Sequence, residues 1–142
     1  MREAYFVDFA LAMKETVSVP LMVTGGFRRR AVMEQAITAG GADLIGLGRP
    51  LCVVTDAPAK LLSGALELPR FESQLAMFPP WLTFLNRSKT LRTLATFGVQ
   101  YWYYAQLDSL GVNGKAEPTM TVFSATRKVM SQQKRWLAAR RR

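Results

Sequence analysis

The chain has 142 residues, of which 49% are hydrophobic and 20% charged, with a formal net charge of +9 and no histidine. That apolar share excludes a disordered chain, and the single cysteine, Cys52, excludes an internal disulfide framework and suits a reducing compartment. The N-terminal stretch MREAYFVDFALAMKETV spaces its apolar residues and carries acids, unlike a secretory leader, and no run reaches the roughly 18 to 20 apolar residues that cross a bilayer, so a soluble, cytoplasmic chain is expected.

The charge is unevenly spread. Residues 1 to 64 hold seven Lys/Arg against six Asp/Glu, residues 65 to 142 hold twelve against four, and from Arg127 onward there are seven basic residues and no acid. The basicity is therefore largely a property of the tail.

In chain order, residues 3 to 17 place Phe6, Phe9, Ala10, Met13 and Val17 on one face at helical spacing, and Ser18 to Pro20 ends that helix. Leu21 to Val23, continued by Thr24, reads as a short strand stopped by Gly25-Gly26. A helix over Arg28 to Ala39 follows, with Val32, Met33, Ala36 and Ile37 as its inner stripe and Gly40 at its left-handed end. Ala42 to Leu47 is the second strand, ending in Gly48-Arg49. Neither strand alternates, as expected of parallel strands covered on both faces.

Asp56 is placed to cap a helix through Ser63, closed by Gly64. Residues 65 to 87, with Pro69, Pro79, Pro80 and Trp81, read as an irregular connection. Residues 88 to 110 are expected to be helical, with Leu91, Leu94, Ala95, Trp102 and Ala105 inward, a possible division at Gly98 and an end at Gly111. A turn over Val112 to Pro118 leads to a last helix from about Thr121, with Val122, Ala125, Val129 and Trp136 on one side.

The chemistry is expected at the strand ends. Where a strand gives way to a helix, unpaired amide N–H groups and the positive end of the helix dipole converge, the dipole alone stabilising an anion by about 0.3 to 1 kcal/mol, and glycine lets the anion approach. Gly25-Gly26 leading into the Arg28 helix fits that pattern, as does Gly48-Arg49 leading to the Asp56 helix. Parallel neighbours would bring both tips to one edge of the sheet, where the Arg49 guanidinium adds a permanent charge suited to phosphate.

The stretch EAYFVDFALAMKETVSVPLMVTGGFRRRAVMEQAITAGGADLIGLGRPL resembles the C-terminal part of the NADH:flavin oxidoreductase, or old yellow enzyme, family of FMN-binding barrels, and WYYAQLDSLGVNGKAEPTMTV resembles the helical tail some members add. The resemblance implies an α/β fold: a partial (β/α)8 TIM barrel, its last two βα units over residues 1–64, then a Pro-containing connection over 65–87 and a helical C-terminal extension with a basic tail over 88–142. It further implies that Gly25, Gly26 and Gly48 give backbone donors to the FMN phosphate, that Arg49 lies near phosphate and flavin, that NAD(P)H is the electron donor, and that a small molecule is the substrate. A whole barrel takes about 250 residues. The first six strands are thus expected to lie outside this chain, which reads as a fragment, a truncated gene product or a subunit whose missing strands another chain supplies, and which is expected to be inactive alone.

Arg28 to Arg30 read as a solvated first turn, Cys52 as a small buried residue without a basic partner, and Tyr101 to Tyr104 as helix packing. Asp8, Asp43 and Asp56 are not spaced as a metal or acid/base set. A rival reading of the whole is a noncatalytic basic helical module binding an anionic membrane or nucleic acid through its aromatic helix and its tail from Arg127.

Overall fold

A computed structural model describes residues 3–77 and 87–140. The chain divides into two compact units, Met1–Arg70 and Phe71–Arg142.

The first unit is built on helix α1 (Val7–Lys14), strand β1 (Met22–Val23), helix α2 (Arg30–Thr38) and strand β2 (Leu44–Ile45), followed by a 3-10 turn over Arg49–Cys52 and helix α3 (Ala57–Leu62). β1 and β2 pair in parallel, Met22 opposite Leu44 and Val23 opposite Ile45, with α2 as the crossover. Val23, Phe27, Met33, Ala36, Ala42, Ala57, Leu61 and Leu68 form the core, and Ala10 of α1 joins it. Asp43 ties the start of the pair together: its carboxylate accepts the Leu21 N–H at 2.8 Å and the Lys14 ammonium at 2.6 Å. Both bonds hold its carboxyl below the usual aspartate range, the Lys14 bond first.

Burial on the strands differs from the expectation of two covered faces. Val23 is buried, whereas its neighbour Met22 is 66% exposed and Met22's partner Leu44 is 57% exposed. Side chains alternate along a strand, so the helices cover one face of the pair and leave the other open. The apolar face expected of the first helix is likewise mostly uncovered. α1 spans eight residues rather than fifteen, only Ala10 of its face is buried, and Phe6 and Phe9 are exposed. These residues instead line, with Met13 and Met22, a groove of about 510 Å³ beside β1. Ile37, expected in the inner stripe of α2, is also exposed, because only the Met33–Ala36 side of that helix meets the core.

Two helix starts depart from the sequence reading. α2 begins at Arg30, not Arg28, because Phe27 to Arg29 is extended and runs antiparallel to residues 66 to 68: Leu68 N–H donates to Arg28 O and Arg30 N–H to Leu66 O, both at 2.9 Å. Residues 65 to 70 therefore belong to the first unit, with Leu68 in its core. Asp56 stands at the N-cap of α3 but its carboxylate makes no cap hydrogen bond; Lys60, one turn on, holds it at 2.9 Å.

The second unit is a helical hairpin of α4 (Lys89–Asn113) and α5 (Val122–Arg140), preceded by a short 3-10 turn over Phe71–Ser73. Trp102 is fully buried, donates its indole N–H to Met120 O at 2.7 Å and meets Tyr103 edge-on at 5.1 Å between ring centres. Buried Gln106 clasps the interhelical loop, accepting the Glu117 N–H and donating to Glu117 O. The packing expected of residues 101 to 104 thus holds for Trp102 and Tyr103, while Tyr104 is exposed.

α4 is not divided at Gly98. A Cβ there would come 2.8 Å from Val122 Cγ1 and 3.2 Å from Met77 Cε, so this glycine serves close helix packing within a continuous helix. Nor does Gly111 end α4. The helix runs to Asn113, and Gly114, at φ +68°, supplies the left-handed cap. On α5, Val122, Ala125 and Val129 are buried as expected, but Trp136 is 57% exposed, with the Arg140 guanidinium 4.4 Å above its ring. Pro79, Pro80 and Trp81 and the side chain of Leu94 lie outside the described residues. Among the described residues no helix is long and apolar enough to cross a membrane.

Candidate functional site

The C-terminal ends of β1 and β2 carry the predicted residues. The pairing of Val23 with Ile45 continues to a hydrogen bond from Gly46 N–H to Val23 O at 2.8 Å, so both strands run out in the same direction, into Gly25-Gly26 on one side and Gly48-Arg49 on the other. Gly25 and Gly26 have φ of +154° and +74°, backbone that side-chain-bearing residues rarely adopt. Gly25 is also pressed against the chain before α1, where an added Cβ would lie 3.3 Å from Tyr5 N. Gly48 and Arg49 are exposed, and a Cβ on Gly48 would meet nothing within 4 Å.

Among the described residues the N–H groups of Gly25, Gly26 and Gly48 donate to no protein acceptor. The two glycine tips thus lie at one end of the parallel pair, Gly25 buried, Gly26 half-buried and Gly48 exposed, with Arg49 next in sequence to Gly48. Amide donors without protein acceptors are a kind of group that suits an anion, because they carry no charge that must be buried.

The helix ends contribute differently from the expectation. The first N–H of α2 is spent on Leu66 O, and Gly48 opens into the 3-10 turn Arg49–Cys52 rather than directly into α3. Arg28 is buried, its guanidinium donating to Phe27 O at 2.8 Å, and Arg30 bonds Glu34 at 2.7 Å and Leu61 O at 3.3 Å; these are structural anchors rather than a solvated turn. Around them the buried carboxylate of Glu3 accepts from Arg29 at 3.2 Å and from Arg70, and Arg70 also bonds Glu67 at 2.9 Å. Glu3 carried no signal in the sequence, since both its partners lie far along the chain.

Cys52 is half-buried, its thiol 3.9 Å from Gly48 O, and burial pushes that thiol up from its ordinary value. It is thus poorly suited to nucleophilic work. No group of three or more Cys, Asp or Glu among the described residues is arranged to hold a metal.

One residue of the site region was missed by sequence reading. Gly46 lies inside the run LIGLG, and an added Cβ would stand 2.4 Å from Thr24 Cγ2 on the neighbouring strand. A glycine within a strand is the available sign of such close backbone approach.

The first unit thus holds one βαβ unit with glycine just beyond both strands. The chain is related, over part of its length, to NADH-dependent flavin oxidoreductases. It is 37% identical over 89 residues to NADH-dependent flavin oxidoreductase iliE of Hypocrea jecorina (strain QM6a), a match covering 53% of this chain and 22% of that protein. Identity is 49% over 53 residues with NADH-dependent flavin oxidoreductase iccE of Talaromyces variabilis, covering 37% and 13%, and 52% over 52 residues with iliE of Neonectria sp. (strain DH2), covering 36% and 7%. The matches span about a fifth or less of the length of these curated relatives. No protein-family model and no solved structure matches the chain.

Proposed function

We propose that this chain carries the phosphate-anchoring part of an FMN-dependent NAD(P)H oxidoreductase, its first unit being the last two βα units of a (β/α)8 barrel. The observation that carries the reading is the trio of amides on Gly25, Gly26 and Gly48, which have no protein acceptor among the described residues, followed after Gly48 by the exposed Arg49. Relatives named as NADH-dependent flavin oxidoreductases supply the cofactor and donor classes. The glycine amides would bind the terminal phosphate, Arg49 would balance its charge, and the chain's own part in catalysis is orientation. When bound, the flavin supplies hydride transfer to a small acceptor such as an activated alkene.

The uncovered face at Met22 and Leu44 and the apolar groove beside β1 accord with a barrel whose preceding strands come from polypeptide outside these 142 residues. Turnover accordingly belongs to the complete barrel. The chain alone is expected to bind FMN weakly and to leave NAD(P)H unoxidised.

The test is an amide-resolved NMR titration, which reads weak binding. FMN should shift the Gly25, Gly26 and Gly48 resonances, riboflavin, lacking the phosphate, should leave them in place, and Arg49→Ala should weaken the FMN response. Equal shifts with FMN and riboflavin, or shifts confined to other residues, overturn the reading.

A further inference from the structure

The helix α5 displays a row of side chains whose spacing and chemistry the flavin reading does not use. Phe123, Arg127, Met130, Lys134 and Leu137 follow one another at steps of four, three, four and three residues, which on a helix places them along a single face. All five are exposed. The buried stripe of Val122, Ala125 and Val129 is a separate face of the same helix. α5 contains five Lys or Arg and no acid from Val122 to Arg140, and near its end Arg140 lies over the exposed ring of Trp136.

We infer that this face of α5 docks on an anionic lipid surface, lying flat along it. At 19 residues the helix is about 28 Å long, too polar to span a bilayer but long enough to lie in the headgroup layer. Apolar and cationic residues alternate along the same row. A lipid interface satisfies both at once, taking Phe123, Met130 and Leu137 into the acyl boundary while Arg127 and Lys134 extend to phosphate and carboxylate headgroups.

Nucleic acid would satisfy the cations but leave Met130 and Leu137 against a hydrated backbone, since only Phe123 in the row can stack on a base. A second copy fits worse. Face-to-face pairing of α5 with itself would set cations against cations, with no acid in the helix to relieve them.

The full chain should co-sediment with phosphatidylcholine vesicles containing phosphatidylserine and not with phosphatidylcholine alone, and added salt should weaken the binding. Arg127→Gln with Lys134→Gln should lower partitioning on the order of 25-fold, from about 1 kcal/mol for each basic residue at the surface. The exposed triple substitution Phe123→Ser, Met130→Ser and Leu137→Ser should abolish binding while leaving helicity by circular dichroism unchanged. The proposal fails if the chain ignores anionic vesicles, if the triple variant binds them as the parent does, or if an oligonucleotide displaces the vesicles with equal effect on parent and triple variant. It fails equally if sedimentation shows a dimer that the triple variant disperses.

Discussion

A Cβ placed on Gly46 would lie 2.4 Å from Cγ2 of Thr24, its neighbour across the parallel pair. A side chain on Gly46 would thus require Thr24 to turn its methyl aside. Gly46→Ala should cost about 0.5–1.5 kcal/mol in denaturant unfolding, the cost of forcing the exposed Thr24 side chain off its rotamer. Thr24→Ser removes the clashing methyl, and the double variant should recover most of that loss. Additive losses in the double variant would show that the contact is not the cause.

Asp43 sets a pH dependence at the opposite end of the same pair. Its folded carboxyl is held below the ordinary aspartate value by Lys14 and by the Leu21 N–H. A lowered folded value means that the contribution is fully present above the unfolded aspartate pKa of about 3.9 and is lost as pH falls through the lower folded one. Asp108, lowered chiefly by its bond to Lys128, acts in the same direction in the second unit. Asp43→Asn should flatten the acid limb of a plot of unfolding midpoint against pH and leave its shape near neutrality unchanged. An unaltered acid limb would remove Asp43 from the account.

Gly98 and Gly111 test opposite consequences of glycine in one helix. At Gly98 an added methyl meets Val122 and Met77, so Gly98→Ala should destabilise the hairpin by about 1–3 kcal/mol. At Gly111 an added methyl meets nothing within 4 Å, so Gly111→Ala should stabilise it by about 0.5–1 kcal/mol through helix propensity. Thermal unfolding followed at 222 nm measures both.

The raised thiol of Cys52 gives a chemical readout. At mildly alkaline pH iodoacetamide should modify it more slowly than free cysteine, because less of it is thiolate, and denaturant should remove the difference. Faster modification in the native chain would require a cationic neighbour, which would overturn the burial account.

By itself the sequence determined the local grammar of this protein. Glycines at positions needing positive φ, proline after the first helix and the apolar spacing of α2 and α5 follow from backbone sterics and helical period, which act over a few residues. Those rules placed the parallel pair and its glycine tips. Part of the flavin oxidoreductase kinship was legible for the same reason, since its residues are contiguous.

What the tertiary structure decided was everything set by partners distant in the chain. Leu66 takes the first amide of α2, Glu3 gathers Arg29 and Arg70, Val122 explains Gly98, and Lys14 with Leu21 gives Asp43 its place. Periodicity marks which residues are able to be buried, but burial requires a neighbouring layer. The Met22 and Leu44 face has none among the described residues, and so these apolar side chains stay exposed where the sequence pattern alone would have covered them.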